Sequence, residues 1–256
     1  MLIVYRVNIM TIAEDLLRPS PEFEEIEYPP GDLESQELPL ESELHLRQIL
    51  LLIQTLEYLW RDRQDFYAFG NLTIFYSPNQ KKSEYFRGPD FFVVLDTERK
   101  PRKSWVVWEE GGKYPHVIIE LLSNSTAKVD RSEKKQIYQE IFRTPDYFWF
   151  DPNTLEFQGF ELLRGQYQEI QPNENRWLWS EQLQLFLGVY EQKLRFFTPE
   201  GELVPTPEES AEMEKQQREA SEQQLEIERQ QKHTEQQRNQ RLAARLRELG
   251  VDPDTV

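Results

Sequence analysis

The chain has 256 residues, 12% of them aromatic, and 46 acidic against 30 basic side chains give a formal charge of −16. That length allows one substantial core plus an appendage, while the acidic balance excludes non-specific nucleic-acid binding through a broadly basic surface. There are no cysteines, and the three histidines (His45, His116, His233) lie far apart, so disulfides and thiolate centres are excluded and a zinc site would need carboxylate help.

Residues 1–10 are apolar but short, with Arg6 inside them and no small-residue cleavage site, which is not a signal peptide. Met10 is an alternative start. No apolar run reaches membrane-spanning length, and a soluble cytoplasmic protein with no membrane contact is expected. Residues 1–37 read as an irregular lead-in, because Pro, Glu and Ser recur without a sustained period. A helix is expected over 41–60, where His45, Ile49, Leu52, Leu56 and Leu59 recur at helical spacing and Ser42 suits the N-cap. Gly70 and Asn71 form a turn into a strand at 72–76, followed by a polar loop at 77–87. Pro89 and Asp90 lead into an apolar strand at 91–95. A basic loop at 97–104 follows, then a short strand or aromatic plug at 105–108.

The run at 117–122 is nearly continuous in apolar residues, the pattern of a strand covered on both faces, yet Glu120 interrupts it. Asp130 with Glu133 makes a capping-box-like helix start, and that helix ends before Pro145. Strands at 147–150, 155–162, 167–170 and 193–197 form a meander with turns at Pro152-Asn153 and Gly165-Gln166. The stretch 177–190 fits strand or helix. The domain so described spans 38–205. Beyond it, 206–256 is dominated by Glu, Gln, Arg and Lys and reads as one long helix. Its apolar residues are sparse, so a solvated helix held by i,i+4 charge pairs and a weak coiled coil fit equally.

Three residues carry chemistry. A buried carboxylate is costly unless it is paired or holds a metal, which singles out Glu120. Asp90 stands at the mouth of the preceding apolar strand. Lys134 shares a helix face with Ile137, Tyr138 and Ile141, the stripe that packs on the sheet. Two carboxylates on neighbouring strands can hold Mg²⁺ or Mn²⁺ through hard oxygen ligands, and a lysine beside them can orient water or stabilise charge on phosphorus. Glu41, on the face of His45 and Ile49, is the outer acidic candidate, with Glu43 as its alternative. Lys134 also fits a snorkelling surface lysine, and Glu120 an edge or paired residue.

These residues resemble a known family. Gly-Pro-Asp-Phe-Phe-Val-Val at 88–94, Val-Ile-Ile-Glu-Leu-Leu-Ser-Asn-Ser-Thr at 117–126, Asp130 with Lys134 and Tyr138, and Pro-Asp-Tyr-Phe-Trp-Phe-Asp-Pro at 145–152 are similar to the Uma-two family. This is a bacterial group of restriction-endonuclease-like proteins within the PD-(D/E)XK phosphodiesterase superfamily. Glu41-Ser-Glu-Leu-His45 and Gly70-Asn71-Leu72 resemble one branch of it, in which a charged C-terminal helix is common. The likeness covers about 38–207, with the motifs in order. It implies a mixed α/β (α+β) fold, a mixed sheet flanked by helices, with Asp90 and Glu120 as ligands of Mg²⁺ or Mn²⁺ and DNA as substrate.

Two departures stand out. The superfamily's usual lysine lies two residues after the glutamate, where this chain has Leu122, and the resemblance implies that Lys134 replaces it from the helix. Asn124 stands where the family often has proline. Pro145-Asp146 imitates the motif, but Gln158 occupies the lysine position, so Asp146 and Asp151 read as turn residues. Arg99, Lys100, Arg102 and Lys103 either steer a phosphate backbone or form a solvated loop. Trp105, Trp108, Trp177 and Trp179 fit core packing better than base stacking, and His45 fits a structural hydrogen bond better than a metal contact. The expected activity is metal-dependent endonuclease hydrolysis of DNA, with RNA not distinguishable. The alternative is a catalytically silent scaffold acting through homo-oligomerisation or partner binding by the C-terminal helix.

Overall fold

The computed structural model describes residues 42–76, 86–123 and 133–249. The lead-in at 1–37, Glu41 and Asp130 lie outside them.

Helix α1 (Glu43–Leu59) starts where expected, because the Ser42 hydroxyl accepts the His45 amide at 3.2 Å. Its apolar stripe buries Ile49, Leu52 and Leu56. The chain then lays down β1 (Phe66–Phe69), β2 (Ile74–Phe75), β3 (Phe86–Arg87), β4 (Phe91–Leu95), β5 (Trp105–Val106) and β6 (Val117–Leu121). A short helical segment follows, α2 (Lys135–Ile137), widening into a π-turn over Tyr138–Phe142 that Arg143 ends in the left-handed conformation. Then come β7 (Asp146–Phe150), β8 (Phe157–Leu163), β9 (Gln166–Glu169), β10 (Leu178–Ser180), β11 (Leu185–Tyr190), β12 (Lys193–Phe197) and α3 (Pro207–Glu248).

The main sheet has six strands in the order β1-β4-β6-β7-β8-β9, with β6 and β7 parallel and the other neighbours antiparallel. The architecture is mixed α+β. Because side chains alternate across a strand, β4 and β6 feed two cores. Phe91, Val93, Ile119 and Leu121 meet α1 and the sheet β10-β11-β12 on one side. Phe92, Val94, Ile118 and Leu122 meet Tyr138, Phe142, Tyr147 and Trp105 on the other. Covering on both faces accounts for the unbroken apolar run that Glu120 interrupts.

One ambiguity is resolved, one strand is new and one expectation is corrected. The stretch 177–190 contains no helix: Leu185, Leu187 and Val189 alternate into the core, and Gln184 turns the hairpin at a φ of 55°. Strand β1, unforeseen, is a four-residue edge strand whose signal is too short for a periodicity argument. Asp146 is no turn residue. It opens β7 at 2% exposure and accepts hydrogen bonds from the Ser180 hydroxyl (2.6 Å) and the Gln182 amide (2.9 Å). Asp151 does make a turn, accepting from the amides of Asn153 and Thr154.

Helix α3 is anchored at its first turn. Thr206 and Glu209 form a reciprocal capping box with Pro207 at N1, Glu209 grips the buried Arg195 at 2.6 Å, and Tyr58 donates to Ser210. From there 42 residues, about 63 Å of helix, bury nothing. Among the described residues no helix is long and apolar enough to cross a membrane.

Candidate active site

The register of β4 against β6 pairs Phe91 with Ile119, so Asp90, one step before β4, comes opposite Glu120 on the same face. Two features hold Asp90 there. Its Oδ2 accepts the Leu121 amide at 2.7 Å, and its backbone presses on Gly70. A Cβ on Gly70 would come within 2.3 Å of the Asp90 carbonyl oxygen and 2.4 Å of Ile49 Cγ2, so the close approach requires glycine. The Asn71 amide adds a bond to the Pro89 carbonyl at 3.1 Å.

Glu120 has no solvent exposure. Lys134 Nζ donates to its Oε2 at 3.0 Å and the Tyr138 hydroxyl to its Oε1 at 2.6 Å. Burial dominates its titration, and the negative charge of Asp90 adds to it. Lys134 and the hydrogen bonds oppose both, and the carboxyl is still pushed up to about 7. Lys134, one turn before Tyr138, keeps 19% of its side chain exposed. The site therefore has a buried floor, Glu120 and Tyr138, and a partly exposed lysine beside it.

His45 ties the same strand to α1. Its Nε2 donates to the Leu121 carbonyl at 3.1 Å, while Nδ1 lies 3.0 Å from the Ser42 hydroxyl, which donates to it in the neutral ring. Leu121 is thereby held on both sides, its amide by Asp90 and its carbonyl by His45. The histidine is structural, one residue from the carboxylate.

The structure thus brings Asp90, Glu120 and Lys134 together. Glu41 lies outside the described residues. Glu43, its alternative, is exposed and pairs with Arg47 at 2.6 Å. The basic loop does not form an open cationic surface. Arg102 is clamped by Glu110 and lies over Tyr67 and Trp105, Arg99 is held by Glu57, and Lys100 lies 3.2 Å from Glu98. A cavity of about 610 Å³ opens beside it between Tyr67, Phe69, Arg99 and Arg102. Its arginines are neutralised locally by Glu57 and Glu110. Trp105 is buried core, and Trp177 stacks on Phe197 at 3.8 Å.

Among the described residues no group of three or more His, Asp or Glu side chains could hold a metal ion. Two adjacent carboxylates nevertheless fit a hard cation that keeps most of its waters. His45 makes the structural hydrogen bond expected of it, whereas nothing in the sequence shows that Tyr138 contacts Glu120 or that Gly70 abuts Asp90. The face of Tyr138 was legible, since it lies at i+4 from Lys134; the Gly70 contact depends on a tertiary approach that no local pattern encodes.

The Uma2 family profile, described as "Putative restriction endonuclease", matches residues 13–195. Among solved structures, the crystal structure of "a putative nuclease belonging to DUF820" from Anabaena variabilis ATCC 29413 is similar at a TM-score of 0.43 and 11% identity, covering 57% of this chain and 76% of that one. Comparison with curated proteins gives no match.

Proposed function

This chain belongs to the Uma2 family, and from that premise we propose that it is a divalent-metal-dependent endonuclease hydrolysing DNA phosphodiester bonds. One observation carries the reading: a fully buried carboxylate across from Asp90, with an ammonium at 3.0 Å. A sheet built only for stability would place an apolar residue there.

Asp90 and Glu120 would hold Mg²⁺ or Mn²⁺. Such an ion, when bound, polarises the phosphodiester and lowers the pKa of a water that attacks it. Lys134 serves the other side of the reaction. With part of its side chain exposed and Nζ 3.0 Å from Glu120, it can orient the attacking water or meet the charge that builds on the phosphoryl oxygens. In the metal-free protein Glu120 Oε2 accepts from Lys134. The Gly70 contact and the Leu121 amide fix Asp90, so the carboxylates are preorganised rather than recruited. Glu41, immediately before the N-cap of a helix that His45 ties to Leu121, is the proposed outer acidic member.

The test is plasmid nicking with Mg²⁺ or Mn²⁺, comparing wild type with Asp90→Ala, Glu120→Ala, Lys134→Ala and Glu41→Ala, and a matched RNA to separate the substrates. Loss of cleavage in the first three supports the assignment; equal activity throughout refutes it.

A second reading, a silent scaffold assembling through α3, is favoured by one feature. Met213, Ala220 and Ile227 recur every seven residues, with Gln216, Gln223 and Gln230 three places on, along a helix that buries nothing. Polar layers at such a seam allow weak, register-specific pairing with a second copy. Sedimentation with and without residues 206–256 tests it: an unchanged monomer in both rules it out.

A further inference from the structure

We infer that Tyr138 is a positioning residue for the proposed reaction: its phenol fixes Glu120 Oε1 on the core side, so that the carboxylate offers Oε2 alone to an incoming cation. The inference rests on the metal-site reading above.

The two oxygens of Glu120 have unlike partners. Oε1 meets a hydroxyl at 2.6 Å whose ring has no solvent exposure. That ring is packed edge-on to Tyr147 at 5.5 Å and against Phe142 at 5.3 Å, so it cannot swing away without opening the core. Oε2 meets Lys134, which lies at the edge of the site with 19% of its side chain exposed. A cation arriving from solvent can displace the ammonium but not the phenol, and Glu120 is held to one-oxygen coordination.

The backbone supports the assignment. Tyr138 stands where the α-helical hydrogen bonds give way to the π-turn, and its carbonyl accepts the amides of Arg143 and Thr144. Single π-turns recur at functional sites. Phenylalanine would fill the same space, since the ring contacts require no oxygen. What the hydroxyl supplies is a hydrogen bond to a charged group, the kind whose loss is felt most.

The experiment compares wild type with Tyr138→Phe in the full chain, by Mn²⁺ titration calorimetry and by the ¹³Cδ resonance of Glu120 in metal-free, glutamate-labelled protein. Expected are Mn²⁺ binding weakened about tenfold or more, as loss of one charge-assisted hydrogen bond implies, a shifted Glu120 resonance, and an unchanged far-ultraviolet circular dichroism spectrum. A structural role alone would alter the melting temperature and leave the affinity of the folded protein unchanged. If wild type and variant bind Mn²⁺ equally, or the resonance does not move, the role of Tyr138 is overturned while the metal site stands. If wild type binds no Mn²⁺ and Asp90→Ala changes nothing, the metal site itself fails, and the inference with it.

Discussion

Glu120→Gln should make the metal-free protein more stable at pH 8, and that outcome separates a functional carboxylate from a structural one. Glutamine reproduces the protonated form: it keeps the volume, and its oxygen still accepts the Tyr138 hydroxyl. The Glu120 pKa, raised from 4.5 to about 7 by burial and by Asp90, means that the folded state resists ionisation. A carboxyl raised in this sense contributes its full stability below 4.5 and loses it as the pH climbs through about 7, a loss on the order of 3 kcal/mol. At roughly 2–4 °C per kcal/mol for a chain of this size, the variant should melt several degrees above wild type at pH 8 and level with it at pH 4.5. Differential scanning calorimetry across that range reads the difference directly. Adding Mg²⁺ should then raise the melting temperature of wild type and not of the variant, because ligand that binds the native state stabilises it by mass action. A variant that melts lower than wild type at pH 8 without metal would refute the reasoning. It would mean that the ionised pair with Lys134 more than repays its burial, and that Glu120 stays for the fold.

Gly70→Ala should weaken Mn²⁺ binding at least tenfold in calorimetry and lower stability by about 1–3 kcal/mol, since its Cβ would collide with the Asp90 carbonyl and Ile49; unchanged affinity would show that Asp90 does not depend on that contact. Asp146→Asn should flatten the melting profile between pH 3.8 and about 6, the window over which burial makes the wild-type carboxyl lose stability as it ionises. The variant should exceed wild type at pH 7 by up to about 3 kcal/mol, and a profile still as steep would rule out Asp146 as its source. Removing residues 211–256 should shift the melting temperature by about 1 °C or less, because α3 buries nothing; a loss of several degrees would show a packing role.

Much of the site was legible because strand and helix periodicities place chemistry directly. Glu120 stood out as a charge within an apolar run, and the stripe from Lys134 to Tyr138 pointed to the sheet. Ile141, which α-helical spacing adds to that stripe, is instead exposed, and the π-turn buries Phe142 in its place. What escaped the sequence depends on distant approaches. The stretch 177–190 carries aromatics and leucines that fit two periods at once, and its strand character is settled by the core that Leu185 and Leu187 enter. Asp146 looked like a turn because Pro145-Asp146 is a turn dipeptide, but Ser180 and Gln182, more than thirty residues later, supply the donors that let it be buried. The basic loop fitted either a steering surface or a solvated loop, and neither reading showed its ion pairs, since Glu57 and Glu110 are not its neighbours in sequence.

The position two residues after the glutamate explains why the cation comes from a helix. On a strand, i and i+2 share a face, so residue 122 looks into the same core as Glu120. That core is closed over it: Leu122 has no exposure and packs in the cluster with Tyr138 and Phe142. A lysine at 122 would bury its ammonium among aromatic rings, at a desolvation cost of several kcal/mol. The helical segment roofing that face offers another route, since Lys134 can lay its stem along the core and still bring Nζ to 3.0 Å from Glu120 with part of the side chain in water. The same roof supplies Tyr138 one turn on. One helical turn thus delivers a partly exposed cation and a buried hydroxyl to the two oxygens of a single carboxylate, which a lysine on the strand could not do.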